Sequence, residues 1–181
     1  MDSIKLKSGN VQPVTVDDFR QAIGSLVILW SQIETEFRIA TEALGRTPQG
    51  VFGSKIVELW KTLHATHAHC PAQIAMTERF LFRIEIARCL RNGICHGFQG
   101  YSADPFGRGQ TAELYYRSEE GTVTVSYRQT QRTIADLARA GFILHRLTHA
   151  TANPDMFGKA EMIAEVGLDL DRIAQEHPGT V

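Results

Sequence analysis

The strongest constraint in the chain is an apolar seam near its start. Phe19, Ile23, Leu26, Trp30, Ile33, Phe37, Ala40 and Leu44 step by four and three alternately, the period of a helix that buries one face along its whole length. Thr15, with Asp18 three residues on, has the form of a capping box, and Gly45 with Pro48 supplies the stop. Val27, Ile28 and Leu29 add apolar surface on the flanks, which predicts a helix covered on more than one side. Glu34, Glu36, Arg38 and Glu42 mark its solvated side. A helix this long and this apolar needs other helices against it, so a bundle is the architecture to expect.

Further helical patterns follow. Ser54 can cap a shorter helix to about Thr66 with Ile56, Leu59, Trp60 and Leu63 as its stripe. Pro71 suits the first turn of a third helix reaching Cys95, with Ile74, Phe80, Leu81, Ile84, Ala87, Leu90 and Ile94 inside. Residues 98–111 read as a loop. Glu113–Arg117 and Thr122–Arg128, either side of a Gly121 turn, then spell a β-hairpin over residues 112–128. A fourth helix starts near Thr130 or Thr133 and carries Ile134, Leu137, Ala138, Phe142, Leu144 and Leu147 to the break at Asn153-Pro154. A last one spans 157–175 through Met162, Ile163, Val166, Leu170 and Ile173. The expectation is a single all-α domain over 1–181, an up-and-down bundle of four to five helices. It has a loose leader at 1–14 and a short hairpin insertion before the penultimate helix.

With 181 residues, 43% hydrophobic and 22% charged, the chain is long enough for one full core, and the composition excludes disordered and disulfide-scaffold classes. No run is apolar enough to cross a bilayer and MDSIKLKSGN is not a signal peptide, so a cytoplasmic setting is expected, with Cys70, Cys89 and Cys95 as thiols. Net charge is −1, but between Arg79 and Arg146 stand ten arginines, no lysine and six acidic residues. That central segment is the one suited to anions, and arginine's planar fork favours bidentate phosphate contacts. Solvated helix faces and ordinary ion pairs use arginine equally well.

The third helix closes on Arg91-Asn92-Gly93-Ile94-Cys95-His96-Gly97. Arg91 lies four residues after Ala87 and seven after Ile84, so it projects from an apolar face. Gly97 is a natural helix stop, and a break there lets His96 swing back towards Arg91. Arginine, four residues and histidine, with a polar residue after the arginine, at the end of a core helix resembles the HEPN superfamily of small α-helical bundles. The long opening helix, the motif helix, the β insertion and the closing helices resemble its layout too. The resemblance implies a metal-independent endoribonuclease without cofactor, of the kind found in toxins and antiviral defence. Two protomers would pair through their motif helices into one composite cleft. It implies that His96 takes the proton of a ribose 2′-hydroxyl and Arg91 holds the scissile phosphate. Asn92 either orients the histidine or bonds the phosphate. Arg83, Arg88, Arg108 and Arg128 are the candidates for drawing RNA to the paired surface. The family also contains members that bind nucleotides or partners without cutting, so a non-catalytic module docking a nucleotide, an antitoxin or a nucleotidyltransferase is the alternative.

Other clusters carry less. His64, His67, His69 and Cys70 place four potential zinc ligands in seven residues, but no second pair follows at finger spacing, and a polar turn is the favoured reading. His145 and His149 share a helix face, yet Arg146 stands where a zinc protease needs glutamate. Tyr101, Tyr115, Tyr116 and Tyr127 either stack on bases or fill the seam between hairpin and bundle.

Overall fold

The computed structural model describes residues 13–68, 71–106, 108 and 111–153. The helix expected over 157–175 lies outside these, as do residues 1–12 of the leader, His69 and Cys70. Four helices are present among the described residues: α1 (Val16–Ala43), α2 (Ser54–His67), α3 (Pro71–Gly97) and α4 (Tyr127–Ala152). A three-stranded antiparallel sheet, in the order β1 (Phe98–Ser102), β2 (Glu113–Ser118) and β3 (Gly121–Ser126), lies between α3 and α4 in the chain. None of these helices is long and apolar enough to cross a membrane.

The seam behaves as its spacing requires. Phe19, Leu26, Trp30, Ile33, Phe37 and Ala40 are buried, and the Thr15 hydroxyl accepts from the Asp18 amide while the Asp18 carboxylate accepts from the Thr15 amide at 2.7 Å. The wider flank does not follow: Val27 and Leu29 are half-buried and Ile28 is exposed. Two more apolar residues are turned outward. Ile74 of α3 is 43% exposed, and Phe142 of α4 is 54% exposed with the Arg146 guanidinium 4.0 Å from its ring centroid. The buried stripe of α4 runs instead through Thr133, Leu137, Ala140, Leu144, Leu147 and Thr151. Its threonine hydroxyls bond carbonyls one turn back, which hides their polarity.

The packing departs from a strict up-and-down order. Phe19 meets Tyr127 at 5.1 Å near the starts of α1 and α4, and Glu36 lies on Gly141 further along both, so these two neighbours run parallel. Helix α3 is antiparallel to both, since Gln73 reaches Thr151 and Arg83 reaches Asp136. Helix α2 stays at one end, with Trp60 against Phe37 and donating to the Thr148 hydroxyl at 3.0 Å.

The sheet closes the opposite end and is larger than a hairpin. Residues 98–102, expected as loop, form β1, which pairs with β2 from Phe98↔Tyr116 to Ser102↔Glu113 with a bulge after Phe98. Residues of β2 and β3 pair through to Ser118↔Gly121 around a two-residue turn, Glu119-Glu120. Paired residues share a face, so Phe98, Tyr101, Leu114, Tyr116, Val123 and Val125 form one side and Tyr115, Arg117, Thr122 and Thr124 the other. Helix α4 then begins at Tyr127, ahead of both expected starts, Thr130 and Thr133. The capping box there is Ser126 with Gln129, which places Arg128 on the helix and not in a strand.

Candidate functional site

Helix α3 is continuous through Gly97, and neither Gly93 nor Gly97 is among the glycines with positive φ. The expected helix break is therefore absent. Five residues at 100° each leave Arg91 and His96 about 140° apart around the helix, and His96 does not turn back. What the two glycines supply is room. A Cβ on Gly93 would lie 2.3 Å from the Tyr116 ring, and one on Gly97 would lie 2.4 Å from the Arg117 carbonyl oxygen. Strand β2 thus rests directly on the backbone of the motif helix.

Arg91 is half-buried. Its Nη1 donates to Asn92 Oδ1 at 2.9 Å, and its Nε is buried with no acceptor among the described residues. Asn92, expected either to orient the histidine or to bond the phosphate, instead accepts from Arg91. His96 is exposed, on a ridge with Cys89 and Gly93 at the i, i+4, i+7 spacing. The same outer stripe of α3 carries Ile74, Glu78, Phe82, Glu85 and Asn92, with Phe82 59% exposed.

The four auxiliary arginines do not converge on this point. Arg83 is paired with Asp136 of α4 at 3.2 Å, and both side chains are largely shielded. Arg88 donates from Nε to Glu85 at 2.7 Å, which holds the glutamate below the usual carboxylate range and raises the arginine. Arg108 lies over the Phe106 ring at 5.0 Å, and Arg128 borders an open cleft of about 510 Å³ with Val14, Asp104 and Gln131. The length of β1, roughly 15 Å, separates this second pair from the motif.

The histidine-rich turn resolves into two environments. His64 is a core residue, stacked on Trp60 at 4.8 Å, and its Nε2 accepts from Gln73 at 3.2 Å and faces the Thr77 hydroxyl at 3.3 Å. Burial, with a smaller contribution from His67, pushes its pKa down to about 4. His67 is exposed, its Nδ1 2.7 Å from the Leu63 carbonyl. No group of three or more His, Cys, Asp or Glu side chains among the described residues is placed to hold a metal. His145 and His149 are exposed, 6.4 Å apart, on a groove between α1 and α4.

Three of the four tyrosines fill the seam. Tyr101 stacks on Phe19 at 5.4 Å, Tyr127 meets the same ring edge-on, and Tyr116 covers Gly93. Tyr115 is on the sheet's other side, its hydroxyl 3.4 Å from Glu113. Sequence reasoning missed the burial of His64, although Ile56, Trp60 and His64 repeat at four, and missed Tyr116 as the residue seated on the motif.

No family model matches this chain, and no curated protein or solved structure matches it.

Proposed function

We propose that the chain is a metal-independent endoribonuclease of HEPN type, working in a toxin or antiviral defence setting, whose site is completed by a second copy. The observation that carries this reading is Arg91: a half-buried guanidinium clamped by Asn92, with Nε lacking an acceptor, five residues before an exposed histidine on the same helix end. A buried donor without an acceptor costs free energy unless a ligand supplies one, and a phosphate oxygen does so. Because the pair diverges within one copy, Arg91 of one protomer works with His96 of another. The outer stripe of α3 centred on the exposed Phe82 is the surface on which copies meet.

In the reaction the ribose 2′-oxygen attacks phosphorus and the P–O5′ bond breaks, leaving a 2′,3′-cyclic phosphate and a 5′-hydroxyl. Neutral His96 takes the 2′-proton, and Arg91 carries the charge that accumulates on the non-bridging oxygens. The 5′-oxygen takes a proton from water, and His96 returns its own to the hydroxide formed.

Purified protein incubated with RNA in EDTA tests this directly. Wild type cleaves, while Arg91→Ala and His96→Ala do not. Mixing the two dead variants under subunit exchange restores about one quarter of wild-type activity, since half the dimers are mixed and each holds one intact site. Intact RNA at high protein concentration sinks the proposal. A second reading, a non-catalytic module binding a nucleotide or a nucleotidyltransferase partner, is favoured by the Arg83–Asp136 and Arg88–Glu85 pairs, which leave little cationic pull for RNA. Its sign is thermal stabilisation by nucleotide without turnover.

A further inference from the structure

In the strand order β1-β2-β3 both outer strands have one neighbour, but they are not equally guarded. Strand β1 carries a bulge after Phe98 and a glycine at its centre, and just beyond it the Asp104 carbonyl accepts from the Val14 amide at 2.8 Å. Strand β3 reads Gly121-Thr122-Val123-Thr124-Val125-Ser126 and has none of the devices that keep sheet edges apart: no bulge, no proline, no lysine or other charge. Which of its backbone groups lie open follows from the bonds at its end. In an antiparallel ladder alternate residues direct both backbone groups at the neighbouring strand. The Tyr127 amide donates to the Ala112 carbonyl at 2.7 Å and continues the β2–β3 ladder, so residues 121, 123, 125 and 127 face β2. The even-numbered residues face away, as Ser126 shows by donating its N–H to Gln129 Oε1 at 3.0 Å. That leaves Thr122 and Thr124, both exposed, whose outward N–H and C=O groups meet no partner among the described residues.

We infer that β3 pairs edge to edge with β3 of a second copy, antiparallel about Val123, joining two three-stranded sheets into one of six strands. In this register Thr122 of each copy stands opposite Thr124 of the other, and every open group of both strands is used, in four hydrogen bonds. A slip of one residue sets the valines of one copy on the threonine face of the other and brings inward-facing backbone against Thr122. A slip of two calls either on the Ser126 N–H, which Gln129 already holds, or on Glu120 in the turn. Charge favours the same register. Glu119 and Glu120 of one copy fall opposite Tyr127 and Ser126 of the other, at the start of α4 and beside the exposed Arg128, and the two-fold repeats this at the other end. An acidic turn thus meets the positive end of a helix twice. The contact lies on a different element from the outer stripe of α3 and uses nothing of the ribonuclease reading. So short an edge buries little area, which makes the pairing weak, with a Kd of about 0.1–1 mM, and confines it to crowded copies.

Amide hydrogen exchange of the full chain, read residue by residue at about 20 µM and at about 1 mM, tests the pairing. The amides of Thr122 and Thr124 are expected to exchange several-fold more slowly in the concentrated sample, while the inward-facing amides of Val123 and Val125 are unchanged. Thr124→Pro removes one outward N–H and leaves every β2–β3 bond in place, so it should abolish the slowing at Thr122. Glu120→Lys, in an exposed turn where the fold is not at stake, should weaken the slowing by setting like charges together at both ends. In Phe82→Asp the slowing should persist, because the α3 stripe takes no part in it. Equal exchange at both concentrations overturns the inference. So does slowing that survives Thr124→Pro and Glu120→Lys, or slowing that disappears in Phe82→Asp, since either places the association on another surface.

Discussion

A single methyl group distinguishes the two uses of glycine in these helices. Gly24 of α1 has nothing within 4 Å of where its Cβ would stand, whereas Gly93 and Gly97 meet β2. Ordinary helix propensity makes Gly24→Ala stabilising by about 0.5–1 kcal/mol. At Gly93 the same change forces the Tyr116 ring away and reverses the sign, costing about 1–3 kcal/mol; at Gly97 the obstacle is backbone, so the cost is at least as large. Denaturant titration of the three variants reads all three signs, and a stabilised Gly93→Ala would refute the close packing of β2. From sequence alone a glycine near a helix end reads as a stop, because spacing does not reveal whether the backbone needs positive φ or the neighbour needs space. His64 presents the opposite case, since its helical spacing was visible and only its polarity argued for the surface. Buried and neutral, it binds its proton more weakly folded than unfolded, so stability is complete above the unfolded pKa of 6.5 and is lost as pH falls towards the folded value of about 4. Denaturation at about pH 7.5 and at about pH 5 should differ by about 2 kcal/mol from this group, a difference that His64→Asn removes.

Among the elements, the α3–α4 contact has its own electrostatic fastener. Arg83 and Asp136 are 3.2 Å apart in a shielded seam beside Phe80, Leu137 and Ala140, where desolvation makes a lost partner expensive. Asp136→Asn is expected to lower stability by about 1–2 kcal/mol, less than a fully buried pair would cost, with little relief from added salt. A loss that vanishes in high salt would mean that the pair is effectively a surface one. The helices were legible because each carries a period of its own: α3 begins at Pro71 as expected, whereas in α2 Ser54 is the first helical residue and not the cap, the N-cap being Gly53 with no side-chain capping bond. Strand β1 was not. Phe98-Gln99-Gly100-Tyr101-Ser102 has glycine at its centre and no polar–apolar alternation, and what makes it a strand is β2, more than ten residues away. The start of α4 was misjudged for a related reason, since Tyr127 and Arg128 extend a β-rich run until the Ser126–Gln129 box is recognised.

At the scale of the whole molecule, the ribonuclease reading proposed above requires two copies of the motif. Its arginine and histidine were legible as residues, but their divergence around an unbroken helix was not, because it depends on how α3 ends. Self-association along the outer stripe predicts that Phe82→Asp, at a site 59% exposed, leaves the fold intact and converts a dimer to a monomer in sedimentation, with RNA cleavage lost alongside. An unchanged dimer would move the interface elsewhere. The parallel pairing of α1 with α4 has a separate consequence, for the chain as it is being made. Of the helix–helix contacts, theirs is the most extensive, yet Ala43 leaves the ribosome more than a hundred residues ahead of Ala152. At usual elongation rates α1 waits roughly 5–20 s for the partner whose Tyr127 meets Phe19. During that interval its seam is a ready target for a chaperone, and nascent chains stalled before α4 are where such binding should be strongest.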